Sequence, residues 1–338
     1  MRIAGKTPAL IYASFVLFLA APASAQEKQL IEAAKKEGDH VVVYGSLESD
    51  SVDPIKKAFE KKMGLRVDYW RASSTKVMDR AISEYRAGKP LFDALFTNGD
   101  PMRIMAKEGI FSRYDSLVTK KFAKDMVDPE LGPKFRNDVI GIVFNSSIIK
   151  PADAPKSLED LVRPQYKGKL VMPDPTQHTT TTQWLANLYK LMGKEKAERY
   201  VRDLGAMKPI LLESLRPAGE RVTTGETPVA ITYIKYAFIF GQTGAPMDYV
   251  RLGKMLGDSQ YIALSNKAPR PNAGKAFIDF FLDDESMKIM AKMGEFVGRK
   301  GIYPPLPDAD KVEFVSMDDL GAKGYAEKKK EYRELFLK

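Results

Sequence analysis

The chain contains no cysteine among its 338 residues and only two histidines, His40 and His178. The lack of cysteine excludes disulfide bonds, thiolate metal sites and a cysteine nucleophile. No uninterrupted apolar stretch of about 18 residues follows residue 26, so we expect no membrane span beyond that point. These absences favour a soluble protein whose chemistry does not depend on thiols.

Recognisable catalytic motifs are also missing. The sequence has no nucleophile elbow, Walker loop, dinucleotide fingerprint, zinc-binding pair or serine-with-histidine motif. We therefore expect a binding protein that is not an enzyme and needs no cofactor. A secreted hydrolase with scattered acidic residues is the alternative, and a binding protein would differ from it by leaving its ligand chemically unchanged.

The charge is positive but spread along the chain. There are 53 Lys and Arg against 44 Asp and Glu, a formal net charge of +9. The one tight basic run, residues 328–330, has Glu327 and Glu331 beside it. Because no basic stripe or nucleic-acid motif accompanies the charge, we expect no nucleic-acid partner. An excess of positive charge can still steer an anionic ligand towards the protein.

Residues 1–25 have the features of a secretory signal peptide. Arg2 and Lys6 precede an apolar run over residues 9–21, and Ala-Ser-Ala at 23–25 forms a cleavage site before Gln26. We therefore expect export to the periplasm. The remaining 338 − 25 = 313 residues are enough for two domains of roughly 150 residues each.

Short β-branched runs alternate with amphipathic stretches along most of the mature chain, which predicts an α/β fold with a mostly parallel sheet. In residues 52–63, for example, Ile55, Phe59 and Met63 recur at helical spacing. Strands are predicted at 40–44, 65–70, 93–97, 139–145, 167–174, 207–213, 227–233, 248–252 and 259–265. Helices are predicted at 52–63, 75–88 and, as a pair, 271–295.

Polar loops follow six of the predicted strands. In an open parallel sheet, ligands bind beyond the carboxyl ends of the strands, where helices begin with unpaired N–H groups. A single Ser or Thr in such a loop is an ordinary helix cap that contributes about 1 kcal/mol. Six such loops at one edge favour a ligand site, with candidate contacts Ser46, Ser73, Ser74, Asn98, Thr179, Thr180, Arg216, Tyr233 and Tyr236.

The order of these blocks resembles the extracellular solute-binding proteins of bacterial ABC importers. The blocks include "VVVYGS", "FEKKMGLRVDYWRASSTKVMDRAISEYRAGKPLFDALFTNGDP", "GIVFNSSII" and "NAGKAFIDFFLDDESMKIM", and the match covers nearly all of residues 38–300. The nearest branch contains binding proteins for ferric iron, 2-aminoethylphosphonate, polyamines, thiamine and sugar phosphates. The resemblance implies a two-lobed type II periplasmic-binding-protein fold with the ligand in the cleft between the lobes.

The resemblance also implies a domain plan and partners. After a signal peptide at 1–25, the first lobe would cover 26–140 and return at 258–300, the second lobe would cover 141–257, and a C-terminal helical segment would follow at 301–338. Residues 139–145 would cross between the lobes. The partners would be a small-molecule ligand and an inner-membrane ABC permease, and we expect a monomer. A binding protein that feeds a sensor or chemoreceptor would share this fold.

The sequence departs from the ferric members of the family. Those proteins hold iron with a His after the first strand, a Glu after the third and two adjacent Tyr, whereas this chain has no His after its first strand and has Asn98 at the position that resembles the Glu. Lys235 and Tyr236 stand where the tyrosine pair would lie, with Tyr233 two residues earlier. A cation such as Lys235 repels Fe(III) and attracts an anion. If iron were nevertheless the ligand, Tyr233 and Tyr236 would hold it.

The remaining residues favour a small organic anion such as a phosphonate, a phosphate ester or a carboxylate. Hydroxyls and N–H groups at Ser73, Ser74 and residues 179–181 suit such a group, and Arg216 or Arg71 offers a bidentate clamp. Arg216 has the alternative of pairing with Glu213 or Glu220. Tyr69, Trp70, Tyr233 and Tyr236 are candidates for packing on the ligand, with the core as the alternative for Tyr69 and Trp70.

Two further alternatives remain open at this point. Convergence of Glu48, Asp50, Asp100 and Glu213 in the cleft would favour a polyamine. His178 is either a ligand contact or a solvent-exposed loop residue, whereas His40 lies at the start of the first strand, at the edge opposite the polar loops.

Overall fold

The computed structural model describes the backbone of residues 23–338 and the side chains of residues 25–338. The basic and apolar parts of the predicted signal peptide lie outside these residues. The predicted cleavage point after Ala25 falls in the first turn of helix α1 (Ala23–Glu37). Cleavage there would leave most of α1 on the mature protein, where it packs against the helix that begins at Pro271.

The described residues form one main sheet, a small two-stranded sheet and helices on the faces of the main sheet. The strands are β1 His40–Gly45, β2 Arg66–Arg71, β3 Ala94–Asn98, β4 Phe111–Ser112, β5 Val127–Asp128, β6 Gly132–Pro133, β7 Arg136–Asn145, β8 Leu170–Pro173, β9 Ile210–Leu212, β10 Val229–Tyr233, β11 Met247–Tyr249, β12 Lys254–Ser265, β13 Phe296–Val297 and β14 Glu313–Ser316. The helices after α1 are α2 Ser49–Met63, α3 Ser74–Arg86, α4 Gly99–Lys107, α5 Thr179–Asn187, α6 Tyr189–Met192, α7 Lys194–Ala206, α8 Leu215–Thr223, α9 Lys235–Gly241, α10 Pro271–Leu282, α11 Asp284–Lys292 and α12 Gly321–Phe336.

Helix α2 shows how the apolar spacing becomes structure. Val52, Ile55, Phe59 and Met63 are all buried on one face of the helix, as a period near 3.6 residues requires. The helix ends at Gly64, which has a φ of 68° and donates its N–H to the Glu60 carbonyl. Only glycine enters this left-handed conformation at low cost. The chain then turns back into β2, which pairs in parallel with β1.

The main sheet follows the order β2-β1-β3-β12-β7-β10-β8-β9. We call β2, β1 and β3 with the adjoining β12 the first part of the sheet, and β10, β8 and β9 the second part. Strands β1, β2 and β3 are parallel, and so are β8, β9 and β10, as the sequence predicted. Strand β12 is antiparallel to β3 and β7.

Strand β7 passes from one part of the sheet to the other. Residues 136–139 pair with β12, and residues 140–144 pair with β10. The predicted crossing strand at 139–145 is therefore present and begins three residues earlier, at Arg136. All ten of its residues are buried, so it forms the centre of the molecule.

Each part of the sheet has its own hydrophobic core. In the first part, Phe59, Phe277 and Phe281 pack together, with ring centroids 5.3 Å apart for Phe59 and Phe277 and 5.5 Å apart for Phe277 and Phe281. In the second part, a separate cluster contains Trp184 and Ile231. Two cores joined by a crossing strand are the arrangement expected of two lobes.

The C-terminal segment contains a strand as well as the predicted helix. Strand β14 pairs in parallel with the start of β12, and α12 packs against α5 and α7 of the second part. Tyr332 of α12 is buried in that core. Within residues 23–338, no helix is both long and apolar enough to cross a membrane.

Candidate functional site

The candidate contacts of the first part of the sheet meet at the carboxyl ends of β1, β2 and β3. The Ser46 and Thr97 hydroxyl oxygens are 2.9 Å apart. The Ser74 hydroxyl donates to the Asn98 amide oxygen at 2.5 Å, and the Asn98 amide in turn donates to Asp258. These polar groups therefore form two neighbouring hydrogen-bonded groups at the edge that the strand order predicted.

Ser73 is the N-cap of α3. Its hydroxyl accepts the Lys76 backbone N–H at 3.4 Å, so capping is its established contact. Ser74 is the first residue of the same helix and contacts Asn98 instead. The two serines thus have different partners, although they are neighbours in the chain.

The threonine cluster begins α5, and its four residues differ in their exposure. Thr181 and Thr182 are buried, and the Thr182 hydroxyl donates to the Pro175 carbonyl at 2.8 Å. Thr179 is exposed and Thr180 is half-buried. Among the described residues, no acceptor lies within hydrogen-bond distance of the Thr179 and Thr180 backbone N–H groups. These first-turn N–H groups remain available for an anion.

His178 is the N-cap of α5, a role that neither alternative from the sequence included. Its Nδ1 accepts the Thr181 N–H at 3.2 Å. Burial, with a smaller contribution from the Lys329 charge, lowers the pKa of His178 to about 4. The imidazole is therefore neutral at physiological pH, as an acceptor of an N–H bond must be.

The Arg216 guanidinium is already paired with a carboxylate of its own helix. The residue is exposed, and its Nε lies 3.1 Å from Glu220 Oε1, one helical turn further along α8. This pair is the alternative that the i, i+4 spacing predicted.

The aromatic candidates fall into two groups. Tyr69 stacks on Phe96 with 5.5 Å between the ring centroids, and its hydroxyl donates to the Leu47 carbonyl at 2.7 Å, so Tyr69 belongs to the core. Trp70 lies against Arg80, with the guanidinium 4.3 Å from the ring centroid. The ring centroids of Tyr233 and Tyr236 are 5.8 Å apart.

Lys235 lies between these two tyrosines in the chain and is buried in a cluster of carboxylates. Its Nζ is 2.9 Å from Glu295, 3.7 Å from Glu48 and 4.0 Å from Asp138. Burial disfavours the ammonium, but Glu295 and Glu48 outweigh it and raise the pKa of Lys235. The expectation that Lys235 offers its charge to an anion was wrong, because three carboxylates of the protein already compensate that charge.

Arg136, at the start of the crossing strand, shares the same carboxylates. Its guanidinium is 2.8 Å from Glu295, 2.9 Å from Asp138 and 3.6 Å from Glu48. Burial would raise the pKa of Glu48, but Lys235 and Arg136 lower it to about 2. Burial raises the pKa of Asp138 to about 6 against the attraction of Arg136 and Lys235. We call Glu48, Arg136, Asp138, Lys235 and Glu295 the central ion cluster.

The central ion cluster shows how the carboxyl ends of the strands in the two parts of the sheet are placed relative to each other. Glu48 follows β1 in the first part of the sheet, and Lys235 follows β10 in the second part. Since their charged groups are 3.7 Å apart, the carboxyl ends of the two sets of parallel strands face each other. Such facing edges are where α/β sheets place their ligands.

The family model of the bacterial extracellular solute-binding proteins matches residues 40–294. The chain belongs to this family. The resemblance seen in the sequence is thereby confirmed at the level of the family.

Solved structures of solute-binding proteins share the fold. The substrate-binding protein of an ABC transporter from Agrobacterium tumefaciens has a TM-score of 0.75 at 16% identity, covering 89% of this chain and 96% of that one. AfuA from Actinobacillus pleuropneumoniae, solved with fructose 6-phosphate, has a TM-score of 0.69 at 18% identity, covering 88% and 98%. Iron-bound HitA from Pseudomonas aeruginosa has a TM-score of 0.69 at 20% identity, covering 88% and 99%. The likeness shows the two-lobed type II periplasmic-binding fold.

The four acidic side chains whose convergence would favour a polyamine do not converge in this solute-binding protein. Glu48 forms ion pairs with Lys235 and Arg136, and Asp100 lies beside Asp319 and Tyr325. Asp50 and Glu213 are exposed. No group of three or more His, Cys, Asp or Glu side chains within residues 25–338 is arranged to hold a metal ion.

Sequence reasoning did not select Arg136, Asp138 or Glu295, although they lie at the centre of the molecule. The sequence did contain one signal for two of them. Arg136 and Asp138 lie at the start of an otherwise apolar crossing strand, and buried charges require partners. Glu295 carried no such signal, since it follows a surface-type helix and a glycine.

Proposed function

We propose that the chain is the substrate-binding component of an ABC importer. It captures a small organic anion, such as a phosphonate, a phosphate ester or a carboxylate, between its two lobes and delivers it to an inner-membrane permease. Its mechanism is lobe closure, in which the solute contacts both lobes only in the closed form and so shifts the equilibrium towards it.

The observation that carries this proposal is the approach of Glu48 to Lys235 across the sheet. In this proposal, Ser46, Ser74 and Asn98 lie on one side of a cleft, and the residues that follow β8 and β10 lie on the other. A solute between these edges contacts elements that follow β1, β2 and β3 as well as elements that follow β8 and β10. Movement about β7 and β12 would then bring both sets onto the solute.

The preference for an anion rests on neutral donors rather than on free cations. Helices α3 and α5 begin at this edge, and the N–H groups of Thr179 and Thr180 have no acceptor among the described residues. Each such helix start contributes roughly 0.3–1 kcal/mol towards an anion. Fructose 6-phosphate in AfuA is an organic anion held by the same fold, which supports this choice of class.

Ferric iron is the second candidate, because the Tyr233 and Tyr236 rings are neighbours, with 5.8 Å between their centroids. Iron-bound HitA shares the fold. Against iron, burial raises the pKa of both phenols, so phenolate is disfavoured until a cation binds. Lys235 also lies 5.4 Å from the centroid of the Tyr233 ring.

A thermal-shift screen followed by isothermal titration tests the proposal. The probes are sugar phosphates, alkylphosphonates, carboxylates, putrescine and Fe(III) citrate, added to the protein after unfolding and refolding to remove any carried ligand. The proposal expects 1:1 binding of an organic anion that is recovered unchanged. Binding of Fe(III) alone, of putrescine alone, or hydrolysis of a bound ester would contradict it.

The cellular setting is part of the same proposal. The family is extracellular, and residues 1–25 supply the signal for export, with the mature protein acting as a monomer. The periplasmic fraction should contain a form that begins at Gln26, which N-terminal sequencing would detect. A form that retains residues 1–25 would contradict cleavage at the predicted site.

A further inference from the structure

The central ion cluster joins the two parts of the sheet through protein groups alone. Lys235 belongs to α9, which follows β10 in the second part, whereas Glu48 precedes α2 and Glu295 follows α11, both in the first part. Arg136 and Asp138 lie on the crossing strand β7 between them. Separation of the two parts would therefore break the contacts of Lys235 with Glu48 and Glu295.

We propose that Lys235, Glu48 and Glu295 form a latch that holds the two lobes of this solute-binding protein closed without any solute. The inference rests on the lobe movement of the proposed function and adds to it a source of closure that is independent of the ligand. The solute then enters a protein whose closed form is already populated.

The packing around Lys235 explains why the latch favours the closed form. The Lys235 and Glu295 side chains are 4% and 1% exposed, and a buried ammonium is tolerated only with partners. Lys235 has three carboxylates within 4.0 Å, and the Ser51 hydroxyl donates to Glu295 at 3.1 Å. The ammonium and its main carboxylate partner are thus paired where the two parts of the sheet meet.

Neighbouring apolar contacts strengthen the same junction. Phe238 and Ile239 of α9 lie beside Gly294, where an added Cβ would be 3.1 Å from the Phe238 ring and 3.4 Å from Ile239. Gly294 has a φ of 93°, a conformation that favours glycine. The α9 helix is therefore packed against the turn that carries Glu295, which fixes the distance between Lys235 and Glu295.

The absence of cysteine makes a direct test possible. Cysteines introduced at Lys57 on α2 and Gln242 after α9, both exposed, would carry two spin labels, one on each lobe. Double electron–electron resonance then measures the distance between the labels in solute-free protein. The latch predicts one short distance for the parent and a longer-distance population as the majority for Lys235→Met.

Two further variants complete the experiment. Glu48→Gln removes only the charge of the partly exposed partner, so we expect a smaller long-distance population than in Lys235→Met. If circular dichroism shows that Lys235→Met is unfolded, Glu48→Gln replaces it as the test of the latch. Lys121→Met is the matched control, because its 2.6 Å ion pair with Asp283 lies within the first lobe. It should keep the short distance.

Two results would overturn the latch. One is a solute-free parent with the longer distance as its major population, and the other is a folded Lys235→Met protein, or in its place Glu48→Gln, with the distance distribution of the parent. Because no solute is present in this experiment, it is separate from the test of the proposed function. A protein that binds no small molecule would contradict the function and still report on the latch.

Discussion

Lys235 and Glu295 form a buried ion pair between the two parts of the main sheet, with 2.9 Å between Nζ and Oε1. The pair neutralises a lysine that, judged by sequence position, would have served as the positive centre of an anion site. In the proposed function, recognition of an anion is therefore left to neutral donors at the same edges, which are N–H groups, hydroxyls and the Asn98 amide. The predictions below test these donors and the charges beside them.

The first prediction concerns Thr179 and Thr180, the first two residues of α5. Replacing Thr179 and Thr180 together by Ala should weaken binding of an organic anion by about a hundredfold or more, because two hydrogen bonds to a charged group are lost and each contributes roughly 1.5–3 kcal/mol. The melting temperature should change little, since His178 and not these hydroxyls caps the helix. Titration calorimetry and thermal unfolding measure the two effects.

A matched control for that variant is Thr243→Ala. Thr243 is exposed and its hydroxyl donates to the Phe240 carbonyl at 2.8 Å, away from the α5 helix start. It should leave the affinity unchanged. Equal losses of affinity in both variants, or loss of stability without loss of affinity in the double variant, would count against the role of Thr179 and Thr180.

The second prediction separates an organic anion from iron. Tyr233→Phe and Tyr236→Phe each remove only a hydroxyl and keep the ring contacts, so neither change should lower stability noticeably. Each should weaken an organic anion by no more than about tenfold, the value of one hydrogen bond of roughly 0.5–1.5 kcal/mol. Iron bound through these phenolates would instead give the parent a visible charge-transfer band that the double variant loses, and that result would contradict the anion proposal.

The third prediction is a loss of stability at acid pH through His178. Its pKa is about 4 in the folded protein and near 6.5 when unfolded. The unfolded state therefore binds more protons between these values, so stability falls as the pH is lowered from about 6.5 to 4. Asn also serves as an N-cap, so His178→Asn should lose less melting temperature than the parent over this range. Parallel pH profiles of parent and variant would refute the assignment.

The fourth prediction is a loss of stability as the pH rises, which is the opposite direction to that expected for His178. Burial, opposed by the Asn98 hydrogen bond and supported by Asp138, raises the pKa of Asp258 to about 8. A carboxyl with a raised folded pKa contributes stability below its unfolded value of 3.8, and that contribution is lost as the pH rises through about 8. Asp258→Asn cannot ionise and can still accept from Asn98.

The Asp258→Asn protein should therefore melt about 3 °C or more above the parent at pH 8.5, with a smaller difference at pH 5. Thermal unfolding in low-salt buffers at the two pH values measures this. A variant that melts lower than the parent at both values would show that the ionised carboxylate is needed.

The helices and strands could be predicted because apolar spacing is a local property. Phe59 and Met63 recur on one face of α2 whatever lies opposite them, and Gly64 ends that helix through its own conformation. The crossing strand was likewise visible as a continuous apolar run. Its start at Arg136 was not, because two charged residues interrupt the pattern, and only their partners in distant segments allow them to be buried.

The candidate site was predictable only in location. Strand order determined that Ser46, Ser74 and Asn98 would lie at one edge, and the structure joins Ser74 to Asn98 and Ser46 to the adjacent Thr97. The pairing of Lys235 with Glu295 was not predictable, because Glu295 lies 60 residues beyond Lys235 in the chain and no local signal connects them. His178 was missed as a cap since capping by histidine is not a common sequence signature.

Native mass spectrometry of the mature protein purified from the periplasm identifies the small molecule that the protein carries. We expect a 1:1 complex with one small organic anion, which is released unchanged on denaturation and rebinds to the refolded protein. A complex that contains only iron, or a protein that carries no ligand and binds none of the organic anions supplied, would contradict this expectation.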